Sequence, residues 1–309
     1  MAKKWAIVFP GQGSQKVGMG ADLVANDAPS KVIFDQANAV LGFDITDACL
    51  HGPEDLLKQT NYAQSGIFVV SACLLRLIKD RIGQPDYVLG HSLGEITAYY
   101  AAGVFDLETA LGVIQARGNA MLAACKQTPS EMAAVLGLEL ADIQKALAPF
   151  ASAPVVAANI NSPNQIVISG ASAQMPDAIE ALKAAGAKRV IPLPVAGAFH
   201  SPLMATAAEA LATYLKGVTF STPHMPIVLN RTAEPTINFD DLAQNLPRQV
   251  VSSVRWAESV NRLAQIPEIG FIECGPGAVL AGLIKKIAPD VPVISIDSIA
   301  ALDNLTQIL

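Results

Sequence analysis

No basic excess marks this chain of 309 residues: 21 lysines and arginines face 27 aspartates and glutamates, a formal net charge of -6. Nucleic-acid binders carry an overall or local basic surplus, so that class is set aside. Charged residues of either sign make up only 16%, hydrophobic residues reach 51%, and no low-complexity or like-charge block appears. Such a composition folds into an ordered globule. Cysteine is sparse too: Cys49, Cys73, Cys125 and Cys274 show no CxxC spacing and sit among apolar neighbours. They read as small buried hydrophobes. The four histidines, His51, His91, His200 and His224, form no HxxxH or HExxH pair, so no metal is expected. Long apolar runs are missing as well. GIFVVSACLL at 66–75 ends at Arg76, too short for a bilayer, and Pro10 and Gly11 cut the run after the two N-terminal lysines below signal-peptide length. The expectation is a soluble cytoplasmic protein that does not engage a membrane.

What is present is a rhythm. WAIVFP (5–10), YVLG (87–90), IVLN (227–230), IGFIEC (269–274) and VPVISI (291–296) are short apolar strands separated by helical periods. Strands apolar on both faces indicate a mainly parallel sheet flanked by helices, an α/β class. Between 128 and 196 the order becomes strand, helix (about 140–150), strand, strand, helix (about 173–185), strand, with Ser162-Pro163-Asn164 as the turn of the middle hairpin. That is the ferredoxin-like order. Residues 128–196 therefore read as a small inserted subdomain, with 1–127 and 197–309 forming the large domain. The chain re-enters the large domain near Gly197-Ala198-Phe199-His200, and clefts between domains are where small-molecule sites form.

Gly90-His91-Ser92-Leu93-Gly94 matches G-x-S-x-G between an apolar strand and a helical pattern, the setting of a nucleophile elbow. Ser92 would stand at a helix N-terminus, where free N–H groups and the dipole favour an oxyanion. His91 is poorly placed to serve its own neighbour, because adjacent residues in a sharp turn point apart. It reads as a shaper of the elbow and pocket wall. His200, in the loop GAFHSP, is the better base, since catalytic partners are neighbours in space rather than in sequence. His224 and His51 read as structural or solvated, His51 at the start of a surface helix.

The glycine-rich stretch FPGQGSQKVGMG (9–20) satisfies neither G-x-G-x-x-G nor the phosphate-loop pattern. It can instead bring a second backbone N–H to an oxyanion, with Gln12 as donor beside Leu93, or it is a plain strand-to-helix turn. In DLETALGVIQARGNAMLAAC, Asp106 is a natural N-cap and the apolar period places Arg117 on the buried stripe. A buried arginine requires an anion, either an internal carboxylate or the carboxylate of a substrate.

Taken together, GQGSQ, GHSLGE, an arginine some 25 residues on, GAFHS and ECGPG resemble, in the same order and over nearly the whole chain, the malonyl-CoA:acyl-carrier-protein transacylases and the related acyltransferase domains of polyketide synthases. The resemblance implies ping-pong transfer of malonyl from malonyl-CoA through a serine to the phosphopantetheine thiol of acyl carrier protein, with no resident cofactor. It makes Ser92 the nucleophile, His200 its base and Arg117 the clamp on the malonyl carboxylate. The N–H groups of Gln12 and Leu93 become the oxyanion hole, and Gln249 supplies a carbonyl that orients His200. Phe199 and Leu93 resemble malonyl-selective members. Lys188-Arg189 and Lys285-Lys286 are candidate contacts for an acidic carrier protein. A monomer is the default expectation.

Two other classes compete. An α/β-hydrolase would run Ser, Asp, His, but this chain has no histidine after 224 and no HGGG motif. A non-catalytic carrier-binding protein would have no use for an intact serine, histidine and arginine.

Overall fold

The computed structural model describes residues 3–150, 152 and 154–307. Its strands in chain order are β1 (Lys4–Phe9), β2 (Tyr87–Gly90), β3 (Ser130–Leu136), β4 (Val156–Ser162), β5 (Gln165–Ala171), β6 (Arg189–Pro192), β7 (Ile227–Val228), β8 (Pro235–Thr236), β9 (Ile269–Cys274) and β10 (Val293–Ile296). Six form one sheet in the order β10-β9-β1-β2-β7-β8, parallel throughout except for the β7–β8 pair. Central β1 shows why its sequence is apolar without alternation. Trp5, Ile7 and Phe9 enter one buried cluster, while Ala6 and Val8 enter another on the opposite face. Side chains alternate across a strand, and both faces are covered by helices.

The apolar strands expected from the sequence are present with trimmed ends. β1 stops before Pro10, which has no N–H for the ladder. IVLN contributes only Ile227–Val228, because Leu229 turns away in a loop closed by the Ala233 N–H on the Leu229 carbonyl at 2.8 Å. GIFVVSACLL is part of a longer element than the run suggested. The helix Thr60–Ile82 has 23 residues, long and apolar enough to cross a membrane by length and composition, yet 78% of its most apolar 18-residue window is buried inside the protein. Its apolarity belongs to the core. Cys49, Cys73 and Cys274 are buried, and burial pushes the Cys49 and Cys73 thiols up to about 12. Cys125 is only half-buried. His51 ends the helix Ile45–His51 rather than starting one, since Gly52 follows with a left-handed φ of 79° and caps it.

The other four strands form an antiparallel sheet in the order β4-β5-β3-β6. With the helices Leu140–Leu147 and Met175–Ala184 in the connections, this is the ferredoxin-like arrangement. The helix expected to reach Phe150 tightens after Leu147 into a 3-10 turn, Ala148–Phe150. Pro163 and Asn164 make the turn between β4 and β5. This sheet has its own buried cluster, including Val135, Ile143, Ile166, Ile168 and Leu182. It is stitched to the larger body by the Ile160 N–H on the Val254 carbonyl at 2.9 Å and the Ser253 hydroxyl on the Ala157 carbonyl at 2.6 Å.

Candidate active site

The elbow follows from two close approaches of backbone. β2 ends at Gly90, and the helix Gly94–Ala101 follows at once. A Cβ on Gly90 would lie 1.9 Å from the Gly94 carbonyl carbon and oxygen, and one on Gly94 would lie 2.0 Å from the Phe9 carbonyl oxygen on neighbouring β1. Only glycine fits at either position. Between them Ser92 adopts φ 54°, a left-handed conformation that a serine keeps only when its surroundings enforce it.

Ser92 Oγ lies 2.7 Å from His200 Nε2. His200 Nδ1 lies 3.0 Å from the Gln249 backbone carbonyl oxygen, an acceptor that fixes the tautomer with hydrogen on Nδ1 and the Nε2 lone pair towards Ser92. The orienting group is a carbonyl rather than a carboxylate, which separates this site from a Ser-His-Asp triad. His200 also has a left-handed φ, 57°, and is 3% exposed. Burial, reinforced by the Arg117 charge, lowers its pKa to about 3, so the imidazole is neutral at pH 7 and its Nε2 lone pair is free to accept a proton. His91 points elsewhere: its Nε2 donates to Asn161 Oδ1 at 2.8 Å and its ring packs against Trp256.

Arg117 comes from the helix Leu107–Gln127, whose N-cap Asp106 accepts from the Thr109 N–H at 2.8 Å. The helical period puts Arg117 on the buried face, 1% exposed. Its Nη2 donates to Ser92 Oγ at 3.0 Å and to Gln249 Oε1 at 3.1 Å, and its Nη1 donates to Gln64 Oε1 at 3.0 Å. These partners are all neutral, Nε has no partner, and Arg117 enters no ion pair among the described residues. Burial lowers its pKa to about 10, which leaves it charged at pH 7. A guanidinium held this way has capacity left for an anion.

Ser92 and His200 open onto a cavity of about 610 Å³ beyond the carboxyl ends of β1 and β2, walled also by residues of the antiparallel sheet such as Met132 and Asn159. Gln12, Gln64, His91 and Phe199 share that wall. The backbone N–H groups of Gln12 and Leu93 make no hydrogen bond among the described residues. Lys188, Arg189, Lys285 and Lys286 are exposed and lie away from the cavity lining. The cations at its wall are Lys16, paired with Asp297, and Lys58, paired with Glu54 and Asp55.

Several polar residues here had no signature in the sequence. Asn230 Oδ1 accepts from the Ser92 N–H at 2.8 Å, and Gln64 and Asn161 hold Arg117 and His91.

The acyl transferase domain family matches residues 6–297. The chain is 41% identical over 305 residues to the malonyl CoA-acyl carrier protein transacylase of Synechocystis sp., covering 99% of this chain and 100% of that one. It is 40% identical over 286 residues to the protein of the same name from Escherichia coli K12, covering 92% and 93%. A malonyl-transacylase solved in complex with a type II polyketide synthase acyl-carrier protein superposes with a TM-score of 0.94 at 35% identity, over 99% of both chains. With motifs, fold and full-length similarity in agreement, the chain belongs to the acyl transferase domain family, among its malonyl CoA-acyl carrier protein transacylases.

Proposed function

We propose that this chain transfers malonyl from malonyl-CoA to the phosphopantetheine thiol of acyl carrier protein through a malonyl ester on Ser92. The observation that carries the reading is Ser92 Oγ held between His200 Nε2 at 2.7 Å and Arg117 Nη2 at 3.0 Å. Ser92 Oγ attacks the thioester carbonyl and passes its proton to His200 Nε2. The carbonyl oxygen takes up the negative charge, stabilised by the free N–H groups of Gln12 and Leu93. As the C–S bond breaks, His200 returns the proton to the coenzyme A sulfur. The carrier thiol then repeats the sequence in reverse, giving its proton to His200 and releasing Ser92.

Arg117 binds the malonyl carboxylate, the anion its neutral surroundings leave room for. Phe199 and His91 wall the acyl pocket. No resident cofactor enters the cycle: malonyl-CoA is a substrate, and phosphopantetheine arrives on the partner. The exposed cations Lys188, Arg189, Lys285 and Lys286 form the docking face for the carrier, and the separate antiparallel sheet supports taking 128–196 as a subdomain distinct from 1–127 and 197–309. The same reading places a monomeric enzyme in the cytoplasm, away from membrane and nucleic acid. Initial rates at varied malonyl-CoA and carrier protein test it. Parallel double-reciprocal lines, abolished activity in Ser92→Ala and loss of the malonyl-over-acetyl preference in Arg117→Ala are expected; intersecting lines would contradict a covalent relay.

A further inference from the structure

Ser92 keeps a left-handed φ of 54° although it is not glycine, a strained conformation that persists only where contacts over-determine it. The contacts are side chains. Asn230 Oδ1 accepts from the Ser92 N–H at 2.8 Å, while Asn230 Nδ2 donates to the Gly90 carbonyl at 2.6 Å, so one amide spans the elbow from strand end to nucleophile. Gln249 Nε2 donates to the Ser92 carbonyl at 2.7 Å from the other side. Asn230 is itself fixed: its backbone N–H donates to Glu95 Oε2, and its carbonyl accepts from the Arg255 N–H at 2.8 Å. Glu95, fully buried in the first turn of the elbow's own helix, also accepts from Asn245 Nδ2 through Oε1.

We propose that Asn230, anchored by Glu95, is a positioning residue that locks the Ser92 backbone in its reactive conformation and thereby sets the acylation rate without touching substrate. This rests on Ser92 being the acylated serine. It also withdraws the Ser92 N–H from the oxyanion site, leaving that role to Gln12 and Leu93. Only an amide serves at 230. Aspartate keeps the acceptor for Ser92 but turns a carboxylate on the Gly90 carbonyl, and alanine leaves both backbone groups unpaired. At 95 the requirement is an acceptor rather than a charge. Glutamine can accept from the Asn230 N–H and donate to Asn245, whose Oδ1 has no partner, once that amide turns over.

The test is the pre-steady-state rate of Ser92 acylation by malonyl-CoA, with KM and cooperative thermal unfolding measured on the same proteins. Asn230→Asp and Asn230→Ala are expected to acylate about 10²-fold more slowly, the loss typical of a misplaced reacting group. KM should stay within roughly twofold, because binding contacts are intact. Acylation at the wild-type rate, or a rise in KM in proportion to the loss of rate, overturns the inference. Should the Asn230 variants not fold, the Glu95 pair decides. Slow acylation in Glu95→Leu with recovery in Glu95→Gln supports the brace, and equal rates in the two overturn it. A wild-type protein that gains no malonyl on Ser92 removes the proposed function, whereas a labelled wild type with an equally fast Asn230→Asp removes only this inference.

Discussion

His200 shows at the scale of one residue how burial keeps an imidazole unprotonated at the cost of some basicity. Burial and the Arg117 charge hold its pKa at about 3 instead of the usual 6.5, so the imidazole does not become protonated as pH falls through the ordinary histidine range. Acylation at pH 5 is therefore expected to stay within about twofold of that at pH 7, which kcat/KM profiles in the free enzyme read directly. A midpoint near 6.5 would show that His200 is solvated or is not the base. Arg117 makes a second residue-scale prediction. Arg117→Ala should lower kcat/KM for malonyl-CoA by about 10²-fold or more, because a buried charge-assisted contact is lost, and lower that for acetyl-CoA far less. Competition assays with the two thioesters give the ratio, and an unchanged ratio contradicts the clamp. Ser92, His200 and Arg117 were legible because each sits in a patterned stretch: a glycine-flanked turn, a loop that neither helix nor strand explains, and an apolar helical stripe. Asn230, Gln64 and Glu95 were not, because a lone amide or a first-turn glutamate in one sequence looks like any surface residue. Asn230 and Ser92 lie 138 positions apart, and only strand pairing brings them together.

At the scale of elements, the elbow depends on how tightly β1, β2 and the helix Gly94–Ala101 pack. A methyl group at 94 would meet the Phe9 carbonyl of β1 at 2.0 Å, and its nearest neighbours are all backbone atoms of Phe9 and Pro10, with no flexible side chain to yield. Gly94→Ala should destabilise the protein by about 1–3 kcal/mol and slow acylation at the same time, since the helix start that presents Ser92 must shift. Denaturant melts together with burst kinetics check this; wild-type values of both would mean the elbow is looser than the geometry indicates. Elements with a strong period were readable. The parallel strands announced themselves as short apolar runs, and the second sheet through its strand-helix-strand-strand-helix-strand order. The two-residue β8 was not, because Pro235–Thr236 is an edge strand too short to show alternation and pairs only with β7. The helix Thr60–Ile82 shows the converse. Its apolar run was clear, but a helix that builds a core and one that crosses a bilayer share the same composition, and only packing distinguishes them.

At the scale of the whole molecule, buried titratable groups tie stability to pH in opposite directions. Burial raises Glu95 and Glu273 to about 7 from an ordinary 4.5, so each contributes stability that is complete below 4.5 and is lost as pH rises through 7. His200 acts the other way: its contribution is present above 6.5 and is lost as pH falls from 6.5 towards 3. Glu273, whose carboxylate accepts from the Leu280 and Ala281 N–H groups at a helix start, isolates the first effect. Glu273→Gln should flatten the fall in Tm between pH 5 and 8, and an unaltered slope would contradict its titration there. Long-range charge is a separate matter. The net charge of -6 opposes an acidic partner; if the proposed docking face carries the attraction, Lys188→Glu with Arg189→Glu should raise KM for the carrier while leaving KM for malonyl-CoA alone. The central claim, a malonyl ester on Ser92 formed with His200 as base, is tested most directly by mass spectrometry of the intact and digested protein after brief exposure to malonyl-CoA. One malonyl group on the peptide carrying Ser92, absent in Ser92→Ala and strongly delayed in His200→Ala, is the expected result. An unlabelled wild type, or a malonyl group on any other residue, would contradict it.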